Sequence, residues 1–337
     1  MAKITVMIPT YNYAQYLGAA IQSVLDQTYQ DFEIIVVDDG STDNTREVVD
    51  SFKDTRIRYI RQENRGVAAA ANVAIKAATS EYITGIGADD LFLPQNLELK
   101  VKIMDARPEL GMVYSDVYLF DDSTGETIGK LWRDPKGYYP WLDPIKAARN
   151  PLKEILYKGC FILIQAALIR REVFNKVGCY DESLPTHEDW ELVVRILQNY
   201  PAEIIDMPLL KMRRHQSNLS DNQEKMYQGA VTALMKVIRS GTLTKQEQKV
   251  LRKRLFPQHI RYGRRALLEG RTAAARKALL AGIKINPQQP KPYAYLTFSL
   301  LGSRMFLTLN KWKKGLRRHA GNHRQPGETQ PDDGRRE

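Results

Sequence analysis

The sequence predicts an α/β protein: a mostly parallel central sheet with helices on both faces, followed by an all-helical extension. Three observations carry that expectation. Over the first 120 residues, short β-branched runs alternate with stretches of helical apolar spacing, the pattern of repeated βα units. Two adjacent-aspartate pairs, Asp38-Asp39 and Asp89-Asp90, each sit where such a run stops, at the carboxyl edge where open α/β sheets take ligands. From about Gln223 the strand pattern ends and only helical spacing remains.

Ile4–Ile8 reads as the first strand, ended by Pro9. Leu17, Ala20, Ile21, Val24 and Leu25 give helical spacing over Ala14–Gln27. Glu33–Val37 is the second strand. Ser41 or Thr42 then caps a helix running to about Phe52, with Asp43 in its first turn. Ile57–Ile60 is a strand, Val67–Ala78 an Ala-rich helix and Tyr82–Ile86 a strand. Pro94 opens a helix to about Ala106, and Met112–Phe120 is a longer strand. Residues 121–158, rich in Gly, Pro, Asp and aromatics, read as long loops with at most one helix. An apolar run at Ile162–Ile169 precedes helices at Arg170–Val177 and His187–Tyr200, then strand-like pieces at Ile204–Ile205 and Leu209–Met212.

The 337 residues leave room for one large and one smaller domain. The expected boundaries are a sheet domain over 1–222, a helical basic extension over 223–320 and a disordered tail over 321–337. In the extension, Gly270, Ala275, Leu279 and Pro287 fall near the spacing of one tetratricopeptide-like hairpin, a single copy that a plain helical pair matches equally well. The net charge of +11 is uneven: residues 221–337 hold 25 Lys and Arg against 8 Asp and Glu. The basic character therefore belongs to the C-terminal third. Two cysteines, Cys160 and Cys179, give no disulfide framework and suit a reducing compartment. No secretory signal and no apolar stretch long enough to cross a bilayer is read in the sequence.

The residues that could carry chemistry lie at strand ends and helix starts. Pro9-Thr10-Tyr11-Asn12 closes the first strand and is either an ordinary turn or an aromatic face and amide for a base. In Asp38-Asp39-Gly40-Ser41-Thr42-Asp43, Gly40 permits a tight turn and the hydroxyls serve as caps, which leaves the two carboxylates unexplained. Asn64-Arg65-Gly66 opens a helix, where an anion is favoured and Arg65 could add charge. Asp89 and Asp90, five and four residues before Pro94, are either capping residues or oxygen ligands for Mg²⁺ or Mn²⁺. Thr186-His187-Glu188-Asp189 starts an amphipathic helix, with near capping-box spacing or with Asp189 as a general base. His215, after Arg213-Arg214, is a structural histidine or a metal or diphosphate contact.

Taken together, Val6-Met7-Ile8-Pro9-Thr10-Tyr11-Asn12, Ile35-Val36-Val37-Asp38-Asp39-Gly40-Ser41-Thr42-Asp43, Ala88-Asp89-Asp90 with Pro94, Gly178-Cys179-Tyr180-Asp181-Glu182 and Glu188-Asp189-Trp190 resemble the family 2 glycosyltransferases of the GT-A fold. The resemblance spans about two-thirds of the chain and none of the helical tail. It implies that 1–222 is a catalytic domain binding a nucleotide-diphosphate sugar, most often a uridine one, with Mg²⁺ or Mn²⁺. By motif it implies donor contacts at Pro9, Thr10, Tyr11, Asn12, Asp38, Asp39, Arg65, Asp89 and Glu188, a metal on Asp90 with His215 nearby, and Asp189 as the base of an inverting transfer. Two departures stand out: Gly87 and Ala71 occupy positions where many members carry Asp and Arg.

Other functions fit less well. A nucleotidyltransferase would begin with a Gly-rich phosphate loop, and a dinucleotide oxidoreductase with G-x-G-x-x-G after the first strand; Pro9-Thr10-Tyr11-Asn12 is neither. The basic tail carries no nucleic-acid-binding signature, so no nucleic acid is expected as a partner. Its apolar residues Phe298, Leu300, Leu301, Met305, Phe306, Leu307 and Leu309, flanked by Lys and Arg, suit either a core helix or an amphipathic helix lying on anionic lipid. The expectation is a cytoplasmic enzyme docking on the inner face of the membrane and using a glycan or lipid-linked acceptor. The alternative is a nucleotide-binding or membrane-surface interaction protein with an inactive transferase site.

Overall fold

The computed structural model describes residues 1–215 and 222–301. The tail at 321–337, and Met305, Phe306, Leu307 and Leu309 of the expected amphipathic stretch, lie outside the described residues. The chain forms two compact units, divided between Arg252 and Lys253.

In the first unit, strands β1 (Ile4–Thr10), β2 (Phe32–Asp38), β3 (Ile57–Arg61) and β4 (Tyr82–Gly85) alternate with helices α1 (Ala14–Leu25), α2 (Thr45–Ser51) and α3 (Val67–Ala77). All four strands run parallel in the order β3-β2-β1-β4. β1 and β2 are buried along almost their whole length, as expected for strands covered on both faces. α3 buries Ala68, Ala69, Ala70, Ala71 and Ala74; these small side chains let it lie close over β1 and β2.

The chain then adds β5 (Leu91–Phe92), α4 (Asn96–Ala106), β6 (Met112–Asp121), β7 (Thr127–Lys130), α5 (Pro144–Arg149), α6 (Pro151–Lys158), β8 (Ala167–Arg170), α7 (Glu172–Val177), α8 (Glu188–Asn199) and β9 (Ala202–Arg214). Among the described residues the sheet has nine strands, ordered β3-β2-β1-β4-β8-β6-β9-β5, with β7 paired to β6. β8 is antiparallel to both β4 and β6, whereas β9 runs parallel to β6. β1 thus lies between β2 and β4, and the crevice beyond its C-terminal end is where the strand order reverses.

Several expectations change in detail. Pro9 does not end β1, which continues to Thr10 and keeps its register with Val37 and Asp38 of β2. Met7 accepts a hydrogen bond from Ile86 on the β4 side, while Thr10 accepts one from Asp39 on the β2 side. By alternation Pro9 faces the β4 side, where pairing stops at Met7, so its missing N–H breaks no ladder bond. The second helix starts at Thr45 with Asn44 as its cap rather than Ser41 or Thr42. The Ser41 hydroxyl instead accepts from the Asn12 N–H, and the Thr42 N–H donates to Asn12. The two strand-like pieces near 204 and 210 are one strand of 13 residues, with register shifts that absorb Pro208. The loop-like region 121–158 contains β7, α5 and α6, the helices N-capped by the Asp143 and Asn150 side chains.

α9 (Gln223–Arg239) follows in the first unit. It approaches α8 closely enough that a Cβ on Gly229 would lie 2.0 Å from the Thr186 hydroxyl. α10 (Lys245–Leu268), α11 (Thr272–Ile285) and α12 (Pro290–Leu301) are the helical C-terminal part. There Gly263 faces Leu279 and Gly282 faces Ile260, which lets α10 and α11 approach closely. No helix among the described residues is long and apolar enough to cross a membrane.

Candidate active site

The site is built at the carboxyl edge of β1, β2 and β4. Thr10, the last residue of β1, is 4% exposed. Its hydroxyl has no hydrogen-bond partner among the described residues, a vacancy that a buried polar group rarely tolerates without a ligand or water. Tyr11 is 45% exposed beside it, its ring open to solvent. Asn12 adopts φ 55° and uses its backbone and side chain to tie this loop to Ser41 and Thr42. It is a brace between the two strand-end loops.

The first aspartate pair divides its work. Asp38 accepts from the Ser41 N–H at 2.8 Å and the Tyr59 hydroxyl at 2.5 Å, both within the fold. Partial burial, and then its hydrogen bond to that carboxylate, hold the half-buried Tyr59 phenol well above its ordinary value. Asp39 accepts from the Gln62 side chain (2.7 Å) and from the N–H groups of Arg65 (2.9 Å) and Gly66 (2.7 Å). It therefore shapes the loop before α3. Gly40 between these loops has φ 84°, and a Cβ there would sit 3.0 Å from the Asn64 nitrogen.

The second pair lies in the turn Gly87–Asp90, closed by an Asp90 N–H bond to the Gly87 carbonyl. β5 follows at once and pairs antiparallel with Lys211 and Leu210. That pairing brings the turn against the end of β9. The Arg213 N–H donates to Asp90 at 3.1 Å, its Nε donates to the Asp89 carbonyl at 2.8 Å, and His215 Nε2 lies 2.9 Å from Asp89 Oδ2. Asp90 is 3% exposed. Burial first, and the neighbouring Asp89 charge second, push its carboxyl well above the usual range. At Gly87 a Cβ would meet Asp89 Oδ1 at 2.8 Å and Asp90 Oδ2 at 2.9 Å, so both carboxylates fold over the residue that lacks a side chain.

Among the described residues no three His, Cys, Asp or Glu side chains form a ready set of metal ligands. Asp90 still suits a divalent cation: it is a buried oxygen donor beside a second carboxylate, and Mg²⁺ needs only one or two carboxylates when phosphate oxygens and waters complete its shell. His215 Nε2 lies against the neighbouring Asp89 carboxylate.

Sequence reasoning missed the frame behind this pair. Tyr16 donates to Asp122 at 2.8 Å, and Asp122 accepts from Arg213 at 2.8 Å. The Arg213 guanidinium stacks between Tyr16 and Phe120, and the His215 ring stacks on Tyr16 at 5.2 Å. The Arg213-Arg214-His215 run was the only signal in the chain.

Glu188 and Asp189 open α8 after His187, which has φ 66°. The capping box does not form: the Thr186 hydroxyl bonds His187 Nδ1 and the Lys225 carbonyl instead. Asp189, half-buried, accepts from the Trp190 N–H at 2.6 Å. Burial, with repulsion from Asp189, pushes the Glu188 carboxyl up to about 7. Both charges act on the buried Tyr180 phenol and raise it further. Tyr180 is in turn held by Asn72 of α3, whose side chain bonds its backbone N–H and carbonyl and also Glu182. Arg65 pairs with Glu182 at 2.7 Å rather than standing free for a phosphate. α3 therefore links the Asp39 loop at its start to the segment before α8, and Lys236 of α9 ties that segment to α8 through Asp181 and the helix residue Glu191.

Comparisons with known proteins bear on the family and the fold. The family described as Glycosyl transferase family 2 matches residues 5–178, just over half of the chain. A relative from Rickettsia typhi named as an uncharacterized glycosyltransferase is 32% identical over 247 residues, covering 72% of this chain and 73% of its own. The glycosyltransferase GlyG of Streptococcus pneumoniae is 32% identical, covering 58% and 67%. The chain spans only about a third of the length of the longer Rickettsia felis relative, at 34% identity. Among solved structures, S. aureus TarS 1-349 in complex with UDP-GlcNAc superposes with a TM-score of 0.62 at 17% identity, over 93% of this chain and 92% of that one. The mannosyltransferase PcManGT from Pyrobaculum calidifontis, in complex with GDP-Man and Mn²⁺, gives 0.57 at 21% identity, over 92% and 84%. On the family match, and with a sheet and helical C-terminal part that superpose on these structures, the chain belongs to the family 2 glycosyltransferases and has their GT-A fold.

Proposed function

We propose that the protein transfers a sugar, with inversion, from a nucleotide-diphosphate donor to a hydroxyl of a glycan or lipid-linked acceptor. The observation that carries this reading is the convergence of Thr10, Asp39 and the Asp89-Asp90 turn on the edge where β1 separates β2 from β4. The unpartnered Thr10 hydroxyl and exposed Tyr11 ring suit a base. A uridine donor is favoured because the TarS structures hold UDP-GlcNAc or UDP.

Asp189 accepts the proton of the acceptor hydroxyl. The oxygen attacks the anomeric carbon from the face opposite the diphosphate, the carbon–oxygen bond to the diphosphate breaks, and the nucleoside diphosphate leaves with the electron pair. Asp189 stands in the first turn of α8, where the helix N–H groups face a negative charge favourably. Asp90 would hold Mg²⁺ or Mn²⁺, which when bound supplies positive charge against the leaving diphosphate. Arg213 fixes both members of that pair through its backbone N–H and Nε. Asp89, braced by His215, faces the donor's ribose or sugar.

Asp90→Ala tests the donor site. UDP titrated calorimetrically in Mn²⁺ should bind the variant about tenfold or more weakly, with the gap closing in chelator. Equal Mn²⁺-dependent binding in both proteins contradicts the assignment.

A further inference from the structure

A second cavity, of about 390 Å³, opens at the middle of β6 and β9, away from the donor edge, lined by Asp116, Lys130, Trp132, Arg133, Asp134 and Asp206 among others. We propose that it is a subsite for a neutral, hydroxyl-rich ligand: one sugar unit of the acceptor glycan, held while a more distal hydroxyl reacts. The inference rests on the glycosyltransferase reading and adds where the acceptor is gripped.

The cavity is a built site. Asp116 is 4% exposed. Its Oδ1 accepts from the backbone N–H groups of Val117 and Trp132, at 2.8 and 3.2 Å. Those are its hydrogen bonds within the described residues, so Oδ2 is left to the cavity it lines. Burial pushes its carboxyl up to about 6. The walls are fixed as well. Trp132 is fully buried, with its indole N–H on the Phe161 carbonyl and its ring edge-on to Tyr114. Arg133, at φ 52°, pairs with Asp206. Asp134 accepts from the N–H groups of Lys130 and Lys136. The loop leaves no room for a side chain at Gly137, where a Cβ would lie 2.0 Å from the Lys130 carbonyl.

The lining decides the ligand class. Three carboxylates against one ammonium and one guanidinium leave a formal charge of −1, which disfavours a phosphate, while the two cations in the lining oppose a bare metal ion. Donors and acceptors that alternate around a cavity of a few hundred cubic ångströms suit hydroxyl groups, which both give and accept hydrogen bonds. The wall loop continues to Tyr138 and Trp141, each nearly half exposed, whose rings offer apolar faces to a sugar. Arg214, next to the donor-site Arg213, stacks on Tyr138 at 5.6 Å. By alternation along β6, Asp116 shares a face with Phe120, which packs on Arg213. The wall loop and this face of β6 thus run from the cavity toward residues that contact Arg213 and Arg214.

Saturation-transfer NMR on the full chain tests this, using free glucose, galactose, mannose and N-acetylglucosamine, with UDP and Mn²⁺ present to fill the donor cleft. The result expected is saturation of at least one sugar by the wild type. That signal should fall about tenfold in Asp116→Asn, which turns one acceptor into a donor, and in Lys130→Ala, an exposed side chain whose loss leaves the fold intact. UDP affinity should stay within about twofold in both variants. No saturation of any of these sugars in the wild type, or equal saturation in both variants, overturns the subsite. Failure of UDP itself to bind strikes the donor reading instead, and is read separately from the sugar signals.

Discussion

Single residues here do work that their type alone does not announce. The two aspartate pairs look equivalent as sequence, yet Asp38 spends both oxygens inside the fold while Asp90 is buried against a like charge. Lys100 is a similar surprise. It is fully buried in α4, its ammonium donates to Asn96 at 2.9 Å and to no other group among the described residues, and burial lowers it to about 7 from an ordinary value of 10.5. Unfolding therefore takes up a proton between those two pH values. Stability should rise as pH climbs from about 7 toward 10.5, and the full penalty should be present below 7. Lys100→Met should raise stability at pH 6 by about 1–3 kcal/mol and flatten that slope. Thermal melts across pH would check it; a lower melting temperature with the slope unchanged would show that the lysine is charged and paired in the fold.

At the scale of elements, strand-end turns do the positioning. Gly40 is required where its φ of 84° and the Asn64 nitrogen exclude a Cβ. Gly40→Ala should cost about 1–3 kcal/mol and, by displacing the 62–66 loop that Asp39 holds, weaken UDP binding. Chemical denaturation and UDP titration would test both, and an unchanged midpoint would mean that the loop relaxes freely. The buried parallel strands were legible because β-branched runs with polar ends have few alternative placements; β1, β2, β3, β4 and β6 lie within about two residues of their expected bounds. Two-residue β5 was not legible, since its only reason to be a strand is its partner Lys211–Leu210. Nor was the Ser41 cap, because Asn12, 29 residues earlier in sequence, takes that hydroxyl. The aspartates and Thr10 could be picked out by their place after apolar runs. Tyr16, Asp122 and Arg213 could not, because their bonds span 106 and 91 residues and exist only once β6 and β9 are paired.

On the whole-molecule scale the chain joins a sheet unit, which holds the proposed donor edge, to a basic helical unit. Residues 302–337 contain nine Lys and Arg against four Asp and Glu. If that segment serves the proposed docking on anionic lipid, a chain ending at Leu301 should keep its UDP affinity and lose salt-sensitive pelleting with phosphatidylglycerol vesicles. Equal pelleting of both forms would place any lipid contact elsewhere.

The central claim is that Asp189, at the start of α8, removes the acceptor proton while the donor sits at the β1 edge. The most direct measurement is Mn²⁺-dependent release of nucleoside diphosphate from a panel of nucleotide sugars, with and without glycan acceptors, by the wild type and by Asp189→Asn. Turnover of one donor class by the wild type is expected, with a loss of about 10²–10⁴-fold in the variant and nucleotide affinity preserved. A variant that turns over near the wild-type rate would contradict it.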